Sequence, residues 1–297
     1  MRVFLTGANG FIGAKLVAEL IGAGHQVLGL TRSTTGAQRL QAAGAEALHG
    51  DLEDLASLRA GAAGSDGVIH TAFDHDFAHY LANCEKDRRA IDAIGEALEG
   101  SNRPFVITST TLFGEAHPGA CADEDVFNAQ HKNPRVISEI AAQGMIDRGR
   151  NVSLVRLSQI HDTARQGLVT FLIQLARETG RSAYIADTDY RWSAAPVSAT
   201  VTLYRLALEK QAHGARYHAT AEEGVSVRAI AERIGQTLGL PVTGLSEDEA
   251  MAHFGWLYSF VSKDMTASSQ KTQQRLGWQP VGASLLSDVA NLSPQAA

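Results

Sequence analysis

The sequence is poor in cysteine and in aromatic residues, and it has no excess of positive charge. Two cysteines, Cys84 and Cys121, cannot make a disulfide framework and form no metal-type pair, so we expect two buried or half-buried thiols in a reducing cytoplasm. Acidic residues outnumber basic ones, 32 against 26, which argues against a nucleic-acid-binding surface. No apolar run approaches the roughly 18 residues that a membrane span requires. We therefore expect neither nucleic acid nor membrane as a partner.

Hydrophobic residues make up 44% of the 297 residues, which is ordinary for a globular chain that buries a core. The length corresponds to two domains or to one large α/β domain. Met1 and Arg2 lead straight into an apolar strand pattern, so we expect no secretory leader and a cytoplasmic location.

Short β-branched runs alternate with alanine-rich helical stretches in the first half of the chain. The runs are almost continuously apolar, which is typical of parallel strands covered on both faces. The alternation predicts an α/β fold with a doubly wound parallel sheet of the Rossmann type and right-handed crossovers. The predicted strands are 2–6, 26–32, 45–50, 67–72, 104–109 and 152–158, and the predicted helices are 11–23, 78–98 and 135–149.

The rhythm changes after about residue 160, where helices dominate. Ser246 and Glu249 form a capping-box pattern that opens a short helix through His253. We predict a dinucleotide-binding domain over 1–160, to which a helix and a strand return near 196–220, and a small α+β substrate-binding cap over 161–297. The other predicted elements are helices 167–179, 196–209 and 226–238 and strands 182–185 and 215–219.

A glycine-rich segment between the first strand and the first helix predicts a dinucleotide site. One glycine permits the tight turn, another lets the backbone approach a pyrophosphate, and the last lets helix and strand pack closely. The helix N-terminus adds free N–H groups and a positive dipole end. The strand–turn–helix context makes the motif specific. The predicted cofactor contacts in this segment are Thr6, Gly7, Asn9, Gly10, Phe11, Ile12 and Gly13.

The end of the second strand favours NADP(H) over NAD. It reads Thr31, Arg32, Ser33, without the acid that usually holds the ribose diol in NAD enzymes. A guanidinium can stack on adenine and pair with a 2′-phosphate. NAD remains the alternative if Arg32 is only a solvated surface residue.

Several short motifs, spread over essentially the whole chain, fit one family. They are Gly7, Gly10 and Gly13 in a TGxxGxxG pattern, Gly50-Asp51-Leu52, His70-Thr71-Ala72, Ile107-Thr108-Ser109 followed by Leu112-Phe113-Gly114, Val152–Leu157, and Leu276-Gly277-Trp278 with Pro280. Together they resemble the extended or atypical branch of the short-chain dehydrogenase/reductase superfamily, with its NAD-dependent epimerase/dehydratase group.

The resemblance implies roles for the ends of the third and fourth strands. Asp51 and Leu52 stand where the family holds the adenine amino group. Thr71, Ala72 and Phe73 stand beside the expected position of the cofactor ribose.

The catalytic pair of that family is missing. Arg135 and Glu139 stand where its Tyr-x-x-x-Lys belongs, and no Tyr-x-x-x-Lys occurs elsewhere in the chain. In the family the tyrosine donates a proton to the carbonyl oxygen, and the lysine lowers its pKa and holds the ribose. Arginine cannot cycle a proton near neutral pH, so the standard mechanism is excluded. The loss resembles atypical subgroups that keep the cofactor fold without the pair.

Other groups near the expected crevice can replace the missing acid. His75 and Tyr80 directly follow the fourth strand, and strand carboxyl ends border the ligand crevice in this fold. The alternative is that Asp74 or Asp76 caps a helix while the histidines stay solvated. His75 and His79 have the spacing of a metal-binding pair, but no third ligand motif is visible, so we predict no metal.

Ser109 occupies the family's catalytic serine position and can polarise a substrate oxygen; alternatively it bonds its own backbone. Arg135 and Glu139 lie one helical turn apart, which favours an i,i+4 salt bridge, with a substrate-anion role for Arg135 as the alternative. His161 and His218 are expected to be packing residues at strand ends.

Four residues are predicted to bind substrate from the cap, where extended relatives line the cleft. They are Tyr184, Tyr190, Arg191 and Trp192; core packing is the alternative for Tyr190 and Trp192. The segment 253–260 is unusually aromatic, which indicates a lid over an apolar substrate, a dimer patch or core packing.

The leading functional prediction is an NADP(H)-dependent oxidoreductase that transfers hydride to or from a small carbonyl or alcohol substrate, with a non-standard proton donor. The first alternative is a non-catalytic NADP-binding sensor or regulator, which explains the missing pair most simply. The second is a sugar-nucleotide-type epimerase or dehydratase with relocated acid–base groups. Relatives often pair through the helices predicted at 78–98 and 135–149, so a homodimer is possible.

Overall fold

A computed structural model of the protein describes residues 1–293. Its strands are β1 Arg2–Thr6, β2 Gln26–Thr31, β3 Glu46–His49, β4 Gly67–His70, β5 Phe105–Thr110, β6 Val152–Leu157, β7 Gln159–His161, β8 Ser182–Ile185, β9 Arg191–Pro196, β10 Arg216–Ala219, β11 Glu222–Ser226 and β12 Val242–Leu245. Its α-helices are α1 Phe11–Gly22, α2 Thr34–Ala42, α3 Leu55–Ala63, α4 Tyr80–Ala97, α5 Val136–Asp147, α6 Val169–Thr179, α7 Val197–Lys210, α8 Val227–Leu238, α9 Glu247–Phe254, α10 Tyr258–Val261, α11 Gln270–Leu276 and α12 Leu285–Ala290.

The predicted doubly wound sheet is confirmed. Seven strands lie in the order β10-β6-β5-β4-β1-β2-β3, and every neighbouring pair is parallel. The chain builds outward from β1 in one direction and then from β4 in the other. In such sheets the crevice at the carboxyl ends of the two strands where the order reverses is the place where ligands bind.

The central strands are apolar because both of their faces are covered. Along β1, Val3 and Leu5 pack into a core cluster with α1 and α7, whereas Phe4 points the other way and packs with α3, α4 and α5. All three side chains are fully buried. Burial of such a side chain contributes roughly 1.5–3 kcal/mol, so this alternation fixes which helices cover each face of the sheet.

β4 is shorter than the sequence predicted. It ends at His70 because the next two residues bond to the end of β1 instead of continuing the ladder. The Thr71 hydroxyl donates to the Thr6 carbonyl at 2.8 Å, and the Ala72 N–H donates to the Thr6 hydroxyl oxygen at 3.2 Å. The carboxyl ends of β1 and β4 are thereby tied together at the crevice.

The C-terminal part adds two small sheets, ordered β11-β9-β7 and β12-β8, which pack with α6 and α8 around a separate apolar cluster. The predicted helix and strand near 196–220 are α7 and β10, and β10 joins the main sheet. The division at residue 160 stays a prediction. β7, β9, β11 and β12 were not predicted, because short strands of mixed composition are recognisable only from their pairing partners.

Smaller predictions meet different outcomes. The capping box is confirmed, because Ser246 and Glu249 bond reciprocally at the start of α9. Cys84 is buried as expected, but the expectation for Cys121 is wrong, since it is exposed on the loop after β5. Within residues 1–293, every helix is too short or too polar to cross a membrane.

Candidate functional site

The loop between β1 and α1 has a shape that only glycine allows at two positions. Gly7 has a φ of +71°, and a Cβ there would lie 2.8 Å from the Ala72 nitrogen. A Cβ on Gly13 would lie 2.0 Å from the Gly7 carbonyl oxygen, so the first turn of α1 lies directly against the loop. The Gly10 N–H closes the turn by donating to the Gly7 carbonyl at 2.8 Å. The loop therefore brings bare backbone to the crevice.

No side chain of residues 1–293 caps the N-terminus of α1. Gly10 is the N-cap residue in an extended conformation, and it offers no acceptor to the first N–H groups of the helix, which begins with Phe11 and Ile12. Uncapped N–H groups and the positive end of the helix dipole together favour an anion. This cradle fits the pyrophosphate of a dinucleotide.

A cavity of about 600 Å³ lies beside this loop. Nine of the predicted cofactor residues line it, and Thr6, Phe11, Ile12, Gly13, Thr71 and Phe73 do not. Asp51 keeps its orientation because one carboxylate oxygen accepts from the Glu53 N–H at 2.7 Å. The predicted residues that line the cavity are Gly7, Asn9, Gly10, Thr31, Arg32, Ser33, Asp51, Leu52 and Ala72.

Two arginines line the same cavity without partners. Neither Arg32 nor Arg39 makes a side-chain hydrogen bond or an ion pair with another residue in the part of the chain that the structure describes. Ser33 caps α2 by accepting from the Gly36 N–H at 3.0 Å, and Arg39 of this helix lines the cavity. Arg39 was missed because no helix was predicted after the second strand, although Ser33 as an N-cap residue there was a usable signal.

At the position of the family's lysine, Glu139 is completely buried and fully engaged. It accepts from the Ser109 hydroxyl at 2.6 Å, from Arg156 Nη2 at 2.5 Å and from Arg216 Nε at 2.8 Å. Two arginines therefore pair with its carboxyl group. A serine has one hydroxyl proton, and Ser109 uses it in the hydrogen bond to Glu139. Ser109 can therefore only accept a hydrogen bond from a ligand.

The expected salt bridge between Arg135 and Glu139 is wrong. The i,i+4 rule applies to pairs that share an exposed helix face, but Glu139 points into the protein toward Arg156 and Arg216. The guanidinium of Arg135 instead lies over the ring of Phe73, 3.6 Å from its centroid. The backbone-bonded alternative for Ser109 is wrong as well, because its hydroxyl donates to Glu139.

His218 supports the same buried network. Its Nδ1 donates to the Ser268 carbonyl at 2.8 Å, so its Nε2 is the acceptor for Arg156 Nη1 at 3.2 Å. Burial, followed by the charge of Arg156, lowers the pKa of His218 to about 3. His218 is therefore neutral and fully buried, in keeping with the predicted packing role.

The two candidate proton donors differ in their hydrogen bonds. The Tyr80 hydroxyl donates to Asn133 Oδ1 at 2.9 Å, and burial raises the pKa of Tyr80 to about 12. His75 Nδ1 donates to the Phe73 carbonyl at 3.1 Å, which leaves Nε2 as the acceptor of the neutral ring. Partial burial of the ring and the charge of Arg135 both lower the pKa of His75.

The loop after β4 is built from local caps and ion pairs. Asp76 accepts from the Ala78 N–H at 3.0 Å and from His79 Nδ1 at 2.8 Å, while Lys86 pairs with Asp74 at 2.9 Å. Among residues 1–293, no group of three His, Cys, Asp or Glu side chains could hold a metal ion.

Aromatic rings connect this loop to the cap. Phe77 stacks on Trp256 with centroids 4.8 Å apart, and Phe171 meets both rings edge-on. In the other direction Phe77 contacts Tyr80, which contacts Phe73. We call Phe73, Phe77, Tyr80, Phe171 and Trp256 the aromatic cluster. Within segment 253–260, Phe254 and Leu257 are core residues, whereas Trp256 remains 46% exposed.

The residues predicted to bind substrate from the cap have other contacts. Trp192 is fully buried, in keeping with the packing alternative, and its indole N–H lacks a partner among residues 1–293. Arg191 pairs with Asp189 at the surface, and Arg228 lies over the Tyr184 ring. Tyr190 packs against the C-terminal core cluster. A substrate role for these four residues stays a prediction.

His161 is buried in the predicted packing environment, but it is also hydrogen-bonded. Its Nδ1 lies 2.6 Å from Asp288 Oδ2, which joins β7 to α12.

Comparison with known proteins gives a matching family, relatives in sequence and solved structures with a similar fold. Residues 7–184 match the family described as NAD(P)H-binding. An uncharacterized protein of Schizosaccharomyces pombe is 44% identical over 292 residues, 98% of this chain and 99% of that protein. A 2-alkyl-3-oxoalkanoate reductase of Stenotrophomonas maltophilia is 27% identical over 259 residues, 81% of this chain and 77% of the reductase. The crystal structure of UDP-glucose 4-epimerase from Thermotoga maritima matches with a TM-score of 0.75 and 15% identity, covering 98% of this chain and 97% of the epimerase.

Proposed function

Because the chain belongs to the NAD(P)H-binding family, within the short-chain dehydrogenase/reductase superfamily, we propose that it is an NADP(H)-dependent oxidoreductase of a small carbonyl or alcohol substrate. The observation that carries the proposal is the pair of unpartnered arginines, Arg32 and Arg39, in the cavity beside the glycine loop. A 2′-phosphate satisfies both charges, whereas a bare ribose diol satisfies neither. The reductase function of the Stenotrophomonas relative supports the direction of the chemistry.

A nicotinamide cofactor, when bound beside the glycine loop, would supply or accept the hydride. The chain's own residues then orient the substrate oxygen and move its proton. Ser109 accepts a hydrogen bond from a substrate hydroxyl, because its own proton is held by Glu139. His75 takes the hydroxyl proton at Nε2 when an alcohol is oxidised and, once protonated from solvent, returns a proton from Nε2 when a carbonyl is reduced, since its Nδ1 is held by the Phe73 carbonyl. Tyr80 is the poorer candidate because its proton is engaged and its pKa is raised.

The cofactor assignment is tested by replacing the two arginines. We expect Arg32→Ala and Arg39→Ala each to weaken NADPH binding by roughly 10- to 100-fold, the usual effect of losing a hydrogen bond to a charged group. NADH binding should change by less than about 2-fold, because NADH has no 2′-phosphate. Calorimetric titration of both cofactors measures the difference. Equal losses for NADPH and NADH would show that the arginines do not read the phosphate.

A non-catalytic NADP-binding regulator is the second candidate. It is favoured by the replacement of the family's lysine with a buried carboxylate that two arginines neutralise. NADPH consumption over a panel of carbonyl compounds separates the two candidates. Tight NADPH binding without turnover of any panel member would favour the regulator.

A further inference from the structure

The guanidinium of Arg135 acts on buried Asp87 only through its charge, which works against burial to lower the pKa of that carboxyl. The Arg135 side chain is half-buried and stacks on Phe73, but it makes no hydrogen bond or ion pair with another of residues 1–293. Its backbone N–H donates to Asn133 Oδ1 at 3.0 Å, which fixes the chain where α5 begins. The stacked ring holds the guanidinium plane in place, so its N–H groups are oriented and available.

The carboxylates around this end of the crevice are already occupied. Asp87 is buried and accepts from His70 Nε2 at 3.0 Å and from the Ser138 hydroxyl at 2.6 Å. Asp74 is bound by Lys86. Glu139 is bound by Ser109 and two arginines. Within residues 1–293 no carboxylate accepts a hydrogen bond from Arg135, so its guanidinium N–H groups are left for an anion from outside the chain.

The aromatic cluster begins at the same guanidinium. From Phe73 the rings run through Tyr80 and Phe77 to Trp256 on the cap, with successive centroids 4.8 to 6.1 Å apart. Every ring of the cluster keeps part of its surface exposed, unlike the core rings of Phe4 and Phe113. Rings that are packed together and still partly exposed form an apolar surface that a ligand can cover.

We propose that Arg135 and the aromatic cluster together bind a substrate that has a carboxylate and an apolar tail. The carboxylate pairs with the guanidinium over Phe73, and the tail lies along the rings toward Trp256. The substrate class is then a hydrophobic oxo acid or the corresponding hydroxy acid. That the bound acid is a substrate rests on the proposed function, but the binding site itself can be tested without turnover.

The carboxylate is tested by calorimetry of octanoate and octanamide on the full-length protein, with and without NADP⁺. We expect octanoate to bind roughly 10- to 100-fold more tightly than octanamide, as a charge-assisted pair predicts. Arg135→Met should abolish that preference. Arg177→Met removes the same charge from an exposed position on α6 and should preserve it. Equal binding of the acid and the amide by the unmodified protein would overturn the proposal.

The tail is tested by chain length. We expect octanoate to bind at least about 10-fold more tightly than butanoate, because each fully buried methylene contributes roughly 4-fold. Phe77→Ala should reduce this ratio without changing butanoate binding, and circular dichroism checks that the variant folds. The unmodified protein is sufficient for this test even if the variant does not fold, since equal affinity for the two acids would contradict an apolar track.

Turnover distinguishes the failure of this inference from the failure of the proposed function. If NADPH reduces neutral ketones while octanoate and octanamide bind alike, the oxo-acid inference fails and the oxidoreductase stands. If octanoate binds through Arg135 but neither 3-oxooctanoate nor any ketone consumes NADPH, the site stands as a ligand site and the oxidoreductase fails.

Discussion

The buried carboxylate of Glu139 gives the sharpest test of the structural reasoning. Glu139→Gln removes one negative charge from a site with no solvent exposure and leaves the guanidinium of Arg156, which is also 0% exposed, without its partner. The lost contacts include the 2.5 Å bond to Arg156 and the 2.8 Å bond to Arg216. Breaking one partner out of a buried ion pair destabilises a protein by about 3–5 kcal/mol, so we expect a fall of that size in the free energy of unfolding.

The assay is urea unfolding followed by circular dichroism, with two matched controls. Glu96→Gln breaks an ion pair with Arg59 whose side chains are 60% and 45% exposed, and it should change stability by less than about 1 kcal/mol. Adding Arg156→Met to Glu139→Gln removes the orphaned cation and should recover part of the loss. A Glu139→Gln variant as stable as Glu96→Gln would refute the idea that this carboxylate holds two arginines inside the protein.

Two further predictions concern the glycine loop and acid stability. Gly13→Ala should weaken NADPH binding by at least about 10-fold, because overpacking by a Cβ 2.0 Å from the Gly7 oxygen forces helix and loop apart. Gly22→Ala in the same helix, with nothing near its Cβ, is the control. Equal NADPH affinities of the two variants in calorimetry would contradict the close packing. The pKa of His218 is lowered from 6.5 to about 3, so below pH 6.5 only the unfolded chain takes up that proton, and stability should fall by about 2 kcal/mol from pH 7 to pH 5. His218→Gln should flatten this part of the pH profile of urea unfolding, and an unchanged profile would show that the ring is not buried neutral.

The glycine loop and the cavity beside it could be predicted because their signals are local. The turn at Gly7, the close approach at Gly13 and the cation at Arg32 lie within one strand–loop–helix unit or at the end of the next strand. Steric rules for glycine and the apolar period of strands act over a few residues, so they are readable in sequence. Arg39 could have been added by the same reasoning.

The reaction end could not be predicted, because its contacts join distant segments. Glu139 pairs with Arg156 and Arg216, which are 17 and 77 residues away in the chain. Which arginine a glutamate on α5 pairs with depends on the face of the helix that the sheet buries. The i,i+4 rule failed there because it ranks helix neighbours without knowing burial.

What the sequence by itself determined is a parallel α/β sheet with a nucleotide loop at its first crossover, since strand propensity, apolar period and glycine sterics are properties of neighbouring residues. Only the tertiary structure decided that the Ser109 hydroxyl donates a hydrogen bond to Glu139, that the Arg135 guanidinium lies over Phe73, and that Phe77 stacks on Trp256. Those contacts depend on how the crossovers and the cap fold back over the crevice. No local sequence pattern determines which of several charged or aromatic residues come into contact at the crevice.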